Sequence, residues 1–196
     1  MKQTEQTIVP FLADIVQRRG GEAYLGEPVT QAQHMLQAAA QAEQDGAPEE
    51  LVAAALLHDI GHFLSEFGED SFAHGIDNHH DQAGAAVLEP FFPAVVGDCV
   101  RLHVAAKRYL CATDPTYFSR LSAASVRTLA VQGGPMSPDE VAAFRREPFF
   151  AEAVRVRLWD EGAKHPDAVT PPFEHYAPIL QKIVDAEAVR RSPAPA

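Results

Sequence analysis

The segment ALLHDIGHFL at residues 55–64 sets His58, Asp59 and His62 into a run that is otherwise apolar. A run of that composition belongs in a core, where a carboxylate is costly unless a cation or a set of donors meets it. Whatever this chain folds into must bring such a partner to Asp59. The candidates are a metal ion, a salt-bridging side chain and a buried hydrogen-bond network.

Helical periodicity dominates the rest of the chain. Residues 4–19 carry Ile8, Phe11, Leu12, Ile15 and Val16 at helical spacing until Gly20 and Gly21 stop the run. EAYLGEPV reads as a loop, and the Ala- and Gln-rich residues 30–45 read as a helix ending at Gly46. Pro48 suits a first helical position, and one mostly buried helix is expected from there through Leu64. Residues 65–77 look like a loop. Further helices are expected at 78–89, 93–111, 122–132, 138–147, 149–161 and 173–189, with VQGGPMSPDE and TPPF as connections. No segment alternates as a strand should. These patterns predict an all-α, single-domain helical bundle over residues 1–189, followed by a disordered tail over 190–196.

A chain of 196 residues, 46% hydrophobic and 22% charged, has room for one full core. No apolar run is long enough to cross a bilayer, so no membrane partner is expected. The first residues lack the pattern of a signal peptide, which makes a cytoplasmic location the expectation. A net charge of -11 argues against nucleic acid as a partner, while leaving room for a small anion held by local positive charge. Cys99 and Cys111 lack zinc-finger spacing and are expected to be core thiols.

Six residues stand out on helical patterns, namely His34, the adjacent pair His58 and Asp59, His80, His103 and Asp160, and of these His58, Asp59, His103 and Asp160 have apolar neighbours. A lone helical histidine is usually a satisfied core group, but helical bundles build metal sites from inward-facing side chains on several helices. Nitrogen and oxygen donors without thiolate favour iron or manganese over structural zinc, though zinc stays open on ligand type alone. Lys107 follows His103 by four positions, Arg157 precedes Asp160 by three, and His62 stands one turn after His58. Three donors one helical turn from candidate ligands suit a tetrahedral dianion. The plainer alternative for Lys107 and Arg157 is a solvated helix face or a surface ion pair.

The pattern His34, His58-Asp59 and Asp160 resembles the HD-domain superfamily, helical proteins that hold one or two metals, and His80 and His103 match the extra histidines of its two-metal members. Further stretches (YLGE, HDIGH, HVAAKRYL, LSAAS, QGGPM and RLWDE) are similar to the organophosphonate-degrading mixed-valent diiron oxygenases of that superfamily, over about residues 8–180. The resemblance implies that Asp59 bridges two metals and serves catalysis there. His34, His58 and Asp160 would complete one site, and His80 and His103 the other. It implies an Fe(II)/Fe(III) pair, O2 as co-substrate and a small phosphonate as substrate. His62, Lys107, Ser125 and Arg157 would bind that substrate, although SAAS at 122–125 could equally be helix-capping chemistry. Tyr24 would cap one iron until substrate arrives, with Glu27 hydrogen-bonded to it.

The reaction implied is oxidative cleavage of the C–P bond in a 1-hydroxy-2-ammonioethylphosphonate. The expected compound is (R)-1-hydroxy-2-(trimethylammonio)ethylphosphonate, giving glycine betaine and phosphate. The alternative is 2-amino-1-hydroxyethylphosphonate, giving glycine and phosphate. A trimethylammonium group prefers aromatic walls, for which Tyr24, Phe63, Phe67, Phe72, Tyr109 and Trp159 are candidates. Two rivals are a metal-dependent HD phosphohydrolase using activated water and a non-catalytic HD scaffold. The scaffold would carry a broken ligand set, whereas all six residues are present here.

Overall fold

Seven consecutive residues, Leu51 through Leu57, are buried, and they form the central helix of the fold. Burying each large apolar side chain there contributes roughly 1.5–3 kcal/mol. The computed structural model describes residues 2–64 and 77–192. Among the described residues there are nine α-helices and no strand: α1 (Ile8–Arg19), α2 (Gln31–Gln44), α3 (Glu49–Leu57), α4 (His80–Leu88), α5 (Ala94–Thr113), α6 (Ala123–Val131), α7 (Pro138–Phe144), α8 (Phe150–Gly162) and α9 (Phe173–Arg191). The all-α expectation holds.

The long α5 lies against α3, α4 and α8, and α2 packs on α3 and α8. These elements bring the polar cluster together. On the other side, α1 and α9 pair with each other, and α9 closes over α3. Local chemistry starts several helices. Thr30 and Gln33 form a reciprocal capping box on α2, as Ser137 and Glu140 do on α7, and the Ser122 hydroxyl accepts from the Ser125 amide at the start of α6.

The helix expected through Leu64 instead ends at Leu57. His58 and Asp59 form a corner, with Asp59 at φ -104° and ψ 9°, and Ile60–Phe63 continue as a 3-10 turn. The corner lets Gly61 press against the first turn of α4. A Cβ on Gly61 would lie 1.8 Å from the carbonyl oxygen of His80, so only glycine fits. α1 starts at Ile8 rather than residue 4, because the Thr7 hydroxyl takes the Thr4 amide at 2.8 Å and competes with the helical ladder.

α9 runs to Arg191, two residues into the expected tail. Arg191 donates to the carbonyls of Pro90, Glu89 and Phe92 at 2.8, 2.9 and 3.0 Å, which ties the helix end to the segment after α4. Residues 193–196 lie outside the described residues, as does all of the expected 65–77 loop except Asp77. Cys99 is a free, buried thiol, and Cys111 is free but only half-buried. No described helix is long and apolar enough to cross a membrane.

Candidate metal centre and its adjoining pocket

Asp59 sits at the middle of the cluster and divides it in two. Its Oδ2 lies 3.4 Å from the Nε2 of both His34 and His58, and its Oδ1 lies 3.4 Å from the Nε2 of both His80 and His103. Asp160, from α8, approaches the first half, with Oδ1 3.4 Å from His34 Nε2 and 3.9 Å from His58 Nε2. Helices α2, α4, α5 and α8 and the corner after α3 each contribute. All six side chains are buried.

Each imidazole is aimed by its other nitrogen. Nδ1 of His34 meets the Ala163 carbonyl at 2.9 Å, His58 the Ala55 carbonyl at 2.8 Å, His103 the Val100 carbonyl at 2.7 Å, and His80 the Asn78 side-chain oxygen at 2.8 Å. An Nδ1–H donated to oxygen leaves Nε2 as a bare lone pair, the form in which a metal ligand is held. The bare nitrogens then face one another, 3.0 Å apart between His34 and His58 and 3.1 Å apart between His80 and His103. Two lone pairs at that distance need a cation between them. Asp160 Oδ1 is also buried there with no hydrogen-bond partner. The donor set fits two metal ions, one on each side of Asp59.

The ionisation of the cluster points the same way. Burial alone would lower His34, but the carboxylates of Asp160 and Asp59, each 3.4 Å from its Nε2, outweigh it and carry its pKa to about 9. Burial would raise Asp160, yet Arg157 and the neighbouring histidines hold it well below the usual carboxylate range. Two carboxylates thus draw positive charge to this spot.

A pocket opens beside the second half. Its lining includes Tyr24, Glu27, His62, Lys107, Ser125 and Arg157, so all the residues expected to contact substrate or gate the site meet at one place. Their partners differ from the simplest expectation. Arg157 is buried and not on a solvated face; it pairs with Asp160 and Glu161, and its Nε donates to the Tyr117 hydroxyl at 2.7 Å. Lys107 is buried against Thr128 at 2.9 Å, and burial, with Arg157 nearby, lowers its pKa to about 7. The capping reading of SAAS holds for Ser122, which accepts from the Ser125 amide and leaves the Ser125 side chain to the pocket. The Ser125 hydroxyl donates to Glu161 at 3.2 Å and accepts from Lys164 at 2.8 Å.

Tyr24 stacks on His34 with ring centroids 4.0 Å apart and an interplanar angle of 16°. Burial, followed by Asp59 and Asp160, holds its phenol well above the ordinary range. The Glu27 carboxylate does not bond the Tyr24 phenol. It accepts from Ser122 and lies 3.6 Å from Lys164 Nζ, and only its backbone amide returns to the Tyr24 carbonyl, at 2.7 Å. That turn carries Leu25 and Gly26 at φ 46° and 84°, a left-handed pair that aims Tyr24 and Glu27 apart.

The aromatic wall is a second correction. Of the four candidates among the described residues, only Tyr24 lines the pocket. Tyr109 packs on Phe144 and Phe150, Trp159 donates to Asp45 at 2.7 Å, and Phe63 receives the guanidinium of Arg19. Phe67 and Phe72 lie outside the described residues. Gln132, unexpected from sequence, lines the pocket with a buried side-chain oxygen that has no partner. Sequence reasoning also passed over Asn78, Lys164 and Glu161. Glu161 carried a signal, as the residue next to Asp160 and four after Arg157.

A profile of the HD domain family matches residues 31–160. The chain is 56% identical over 184 residues to the 1-hydroxy-2-(trimethylamino)ethyl phosphonate dioxygenase (glycine-betaine-forming) of Leisingera caerulea, with 94% of each chain covered. It is 42% identical over 177 residues to the hydroxymethylphosphonate dioxygenase of Gimesia maris, covering 90% of this chain and 88% of that protein. With two imidazole pairs gathered on one shared aspartate inside the matched region, this chain belongs to the HD domain family.

Proposed function

We propose that this protein uses O2 and a pair of iron ions to cleave the C–P bond of (R)-1-hydroxy-2-(trimethylammonio)ethylphosphonate, giving glycine betaine and phosphate. The observation that carries the proposal is a two-sided nitrogen and oxygen donor cluster around Asp59 that opens directly onto a pocket lined by buried Lys107 and Arg157. The name of the 56%-identical relative supplies the compound, and the second relative, named for hydroxymethylphosphonate, supports the same class of reaction. In the balanced reaction the C1–H and C–P bonds break and both atoms of O2 enter the products, which are a carboxylate, hydrogen phosphate and a proton.

His34, His58, Asp160 and one oxygen of Asp59 would hold one iron, and His80, His103 and the other oxygen of Asp59 the second. Bound there, the pair supplies the one-electron and O2 chemistry that no side chain provides. Two carboxylates leave an Fe(II)/Fe(III) pair strongly positive, which favours a dianionic substrate. Lys107, Ser125, His62 and the remaining N–H groups of Arg157 then orient the phosphonate by charge-assisted hydrogen bonds. Tyr24, lying over His34, shields that side until substrate displaces it. The ring of Tyr24, the carboxylate of Glu27 and the unpaired oxygen of Gln132 provide the electron-rich surfaces that a quaternary ammonium prefers.

Phosphate release measured with and without O2 tests the proposal, using the trimethylated compound, 2-amino-1-hydroxyethylphosphonate and hydroxymethylphosphonate. Release is expected only in air, with the highest kcat/KM for the trimethylated compound. Equal release under nitrogen with Mn(II) would instead indicate a hydrolase.

A further inference from the structure

We infer that Asn78 is a positioning residue whose single side-chain amide gives His62 and His80 opposite tautomers, making one a hydrogen-bond donor to the phosphonate and the other a metal ligand. The inference rests on the phosphonate-binding role proposed above for His62. It starts from the orientation of the amide. Asn78 is buried immediately before α4, and its Oδ1 accepts from the backbone amide of His80 at 3.3 Å. A backbone N–H can only donate, so this contact identifies which end of the side chain is the oxygen. The next residue, His79, adopts the left-handed conformation at φ 49°, the bend that carries Asn78 back over the start of the helix.

The two ends of the amide then act on two rings. The same oxygen lies 2.8 Å from His80 Nδ1, which must therefore carry hydrogen, leaving His80 Nε2 bare toward Asp59 and His103. The nitrogen end, Nδ2, lies 3.3 Å from His62 Nδ1. An amide nitrogen only donates, so His62 Nδ1 accepts, and the neutral ring carries its hydrogen on Nε2. The rings stack nearly parallel, with centroids 4.0 Å apart and an interplanar angle of 18°, so one short side chain spans both.

This assignment answers a question that distances leave open. Donor atoms of Asp59, His62 and His80 lie within 4.8 Å of one another, close enough for all three to share an ion. An imidazole with hydrogen on Nε2 offers that ion no lone pair. His62 Nε2, 3.8 Å from Asp59 Oδ1 and at the pocket wall, is instead equipped to donate to an anionic oxygen. Asn78 thereby separates a metal ligand from a phosphonate donor where the rings of His62 and His80 stack.

The direct test is the tautomer of His62 in the full chain, labelled with 15N-histidine and loaded with diamagnetic zinc. Long-range proton–nitrogen correlations are expected to place the hydrogen of His62 on Nε2 and that of His80 on Nδ1. Hydrogen on His62 Nδ1, or on both of its nitrogens, would overturn the inference, and the wild-type spectrum alone decides this. Asn78→Leu is expected to mix the His62 tautomers. It should also weaken binding of hydroxymethylphosphonate under nitrogen roughly tenfold, about one hydrogen bond to a charged group. Compared at equal bound metal, so that any effect through His80 is held constant, adding it to His62→Ala should cause no further loss of binding; independent, multiplying losses at equal metal would overturn the role assigned to His62. The tautomer is read without turnover, so an enzyme found to act on another compound would refute the proposed function and leave this result standing.

Discussion

Replacing Gly61 with alanine would place a methyl carbon 1.8 Å from the His80 carbonyl oxygen and 2.7 Å from the Gly84 amide nitrogen. Real Cβ atoms essentially never come closer than 3.0 Å to such a neighbour, so moving from 1.8 to 3.0 Å demands a shift of about 1.2 Å. Both obstacles are backbone, and no change of rotamer relieves the clash. Overpacking of this kind costs about 1–3 kcal/mol, which for a chain of this size lowers Tm by roughly 2–12 °C. The sharper effect is on His80. Metal–ligand distances tolerate about 0.2 Å, so a shift several times larger removes His80 from the second cluster. The first cluster takes His34 from α2, Asp160 from α8 and His58 from the end of α3, all away from the clash, and is the less disturbed of the two. Iron analysis of purified Gly61→Ala is therefore expected to fall from two ions per chain toward one, with loss of the mixed-valence electron spin resonance signal. Two ions and an unchanged Tm would refute the reasoning.

Three other perturbations have clear directions. Because burial holds Lys107 near pKa 7, the free enzyme loses that positive charge as pH rises through 7, and kcat/KM for a phosphonate should fall above it. The same depression means the unfolded chain binds the extra proton between about pH 7 and 10.5, so Lys107 makes stability rise with pH in that window, and a pH series of melts with Lys107→Met should lack the rise. Arg157→Ala leaves the buried carboxylate of Asp160 without its guanidinium partner, while Glu161 keeps Lys164, and is expected to cost roughly 3–5 kcal/mol in denaturant unfolding as well as phosphonate affinity. Ser122→Ala removes both the α6 cap and the hydroxyl on Glu27, and should cost about 1 kcal/mol, read as a drop of roughly 2–4 °C in Tm.

His34 and His80 were found by the family pattern, whereas His58, Asp59, His103 and Asp160 were legible in the sequence because each is a polar residue among apolar neighbours on a helical pattern, and a buried polar group needs a partner. The same logic placed Lys107 and Arg157 one turn from His103 and Asp160, where the structure puts them. Trp159 and Tyr109 are absent from the pocket wall for a geometric reason. Trp159 adjoins Asp160, and Tyr109 is two positions from Lys107, so helical rotation turns both rings away from the pocket. The corner at His58–Asp59 and the glycine at 61 depend on the close approach of α4, a tertiary contact that periodicity does not register. Asn78 lies outside any helix, and its role depends on the stacking of two rings from separate elements. The tie between Glu27 and Ser122 spans 95 positions and has no local signature.

His58 and His103 each lean on a carbonyl three residues earlier in their own helices. Their aim is thus inherited from local backbone and is insulated from whatever side chains happen to surround the cavity. Leu25, Val104, Ala124 and Thr128 can vary on the cavity wall without disturbing those anchors. Such an arrangement is modular. New substrates can be explored by altering the wall while the redox half stays constant, and relatives named for different phosphonates are the diversity that this division of labour permits.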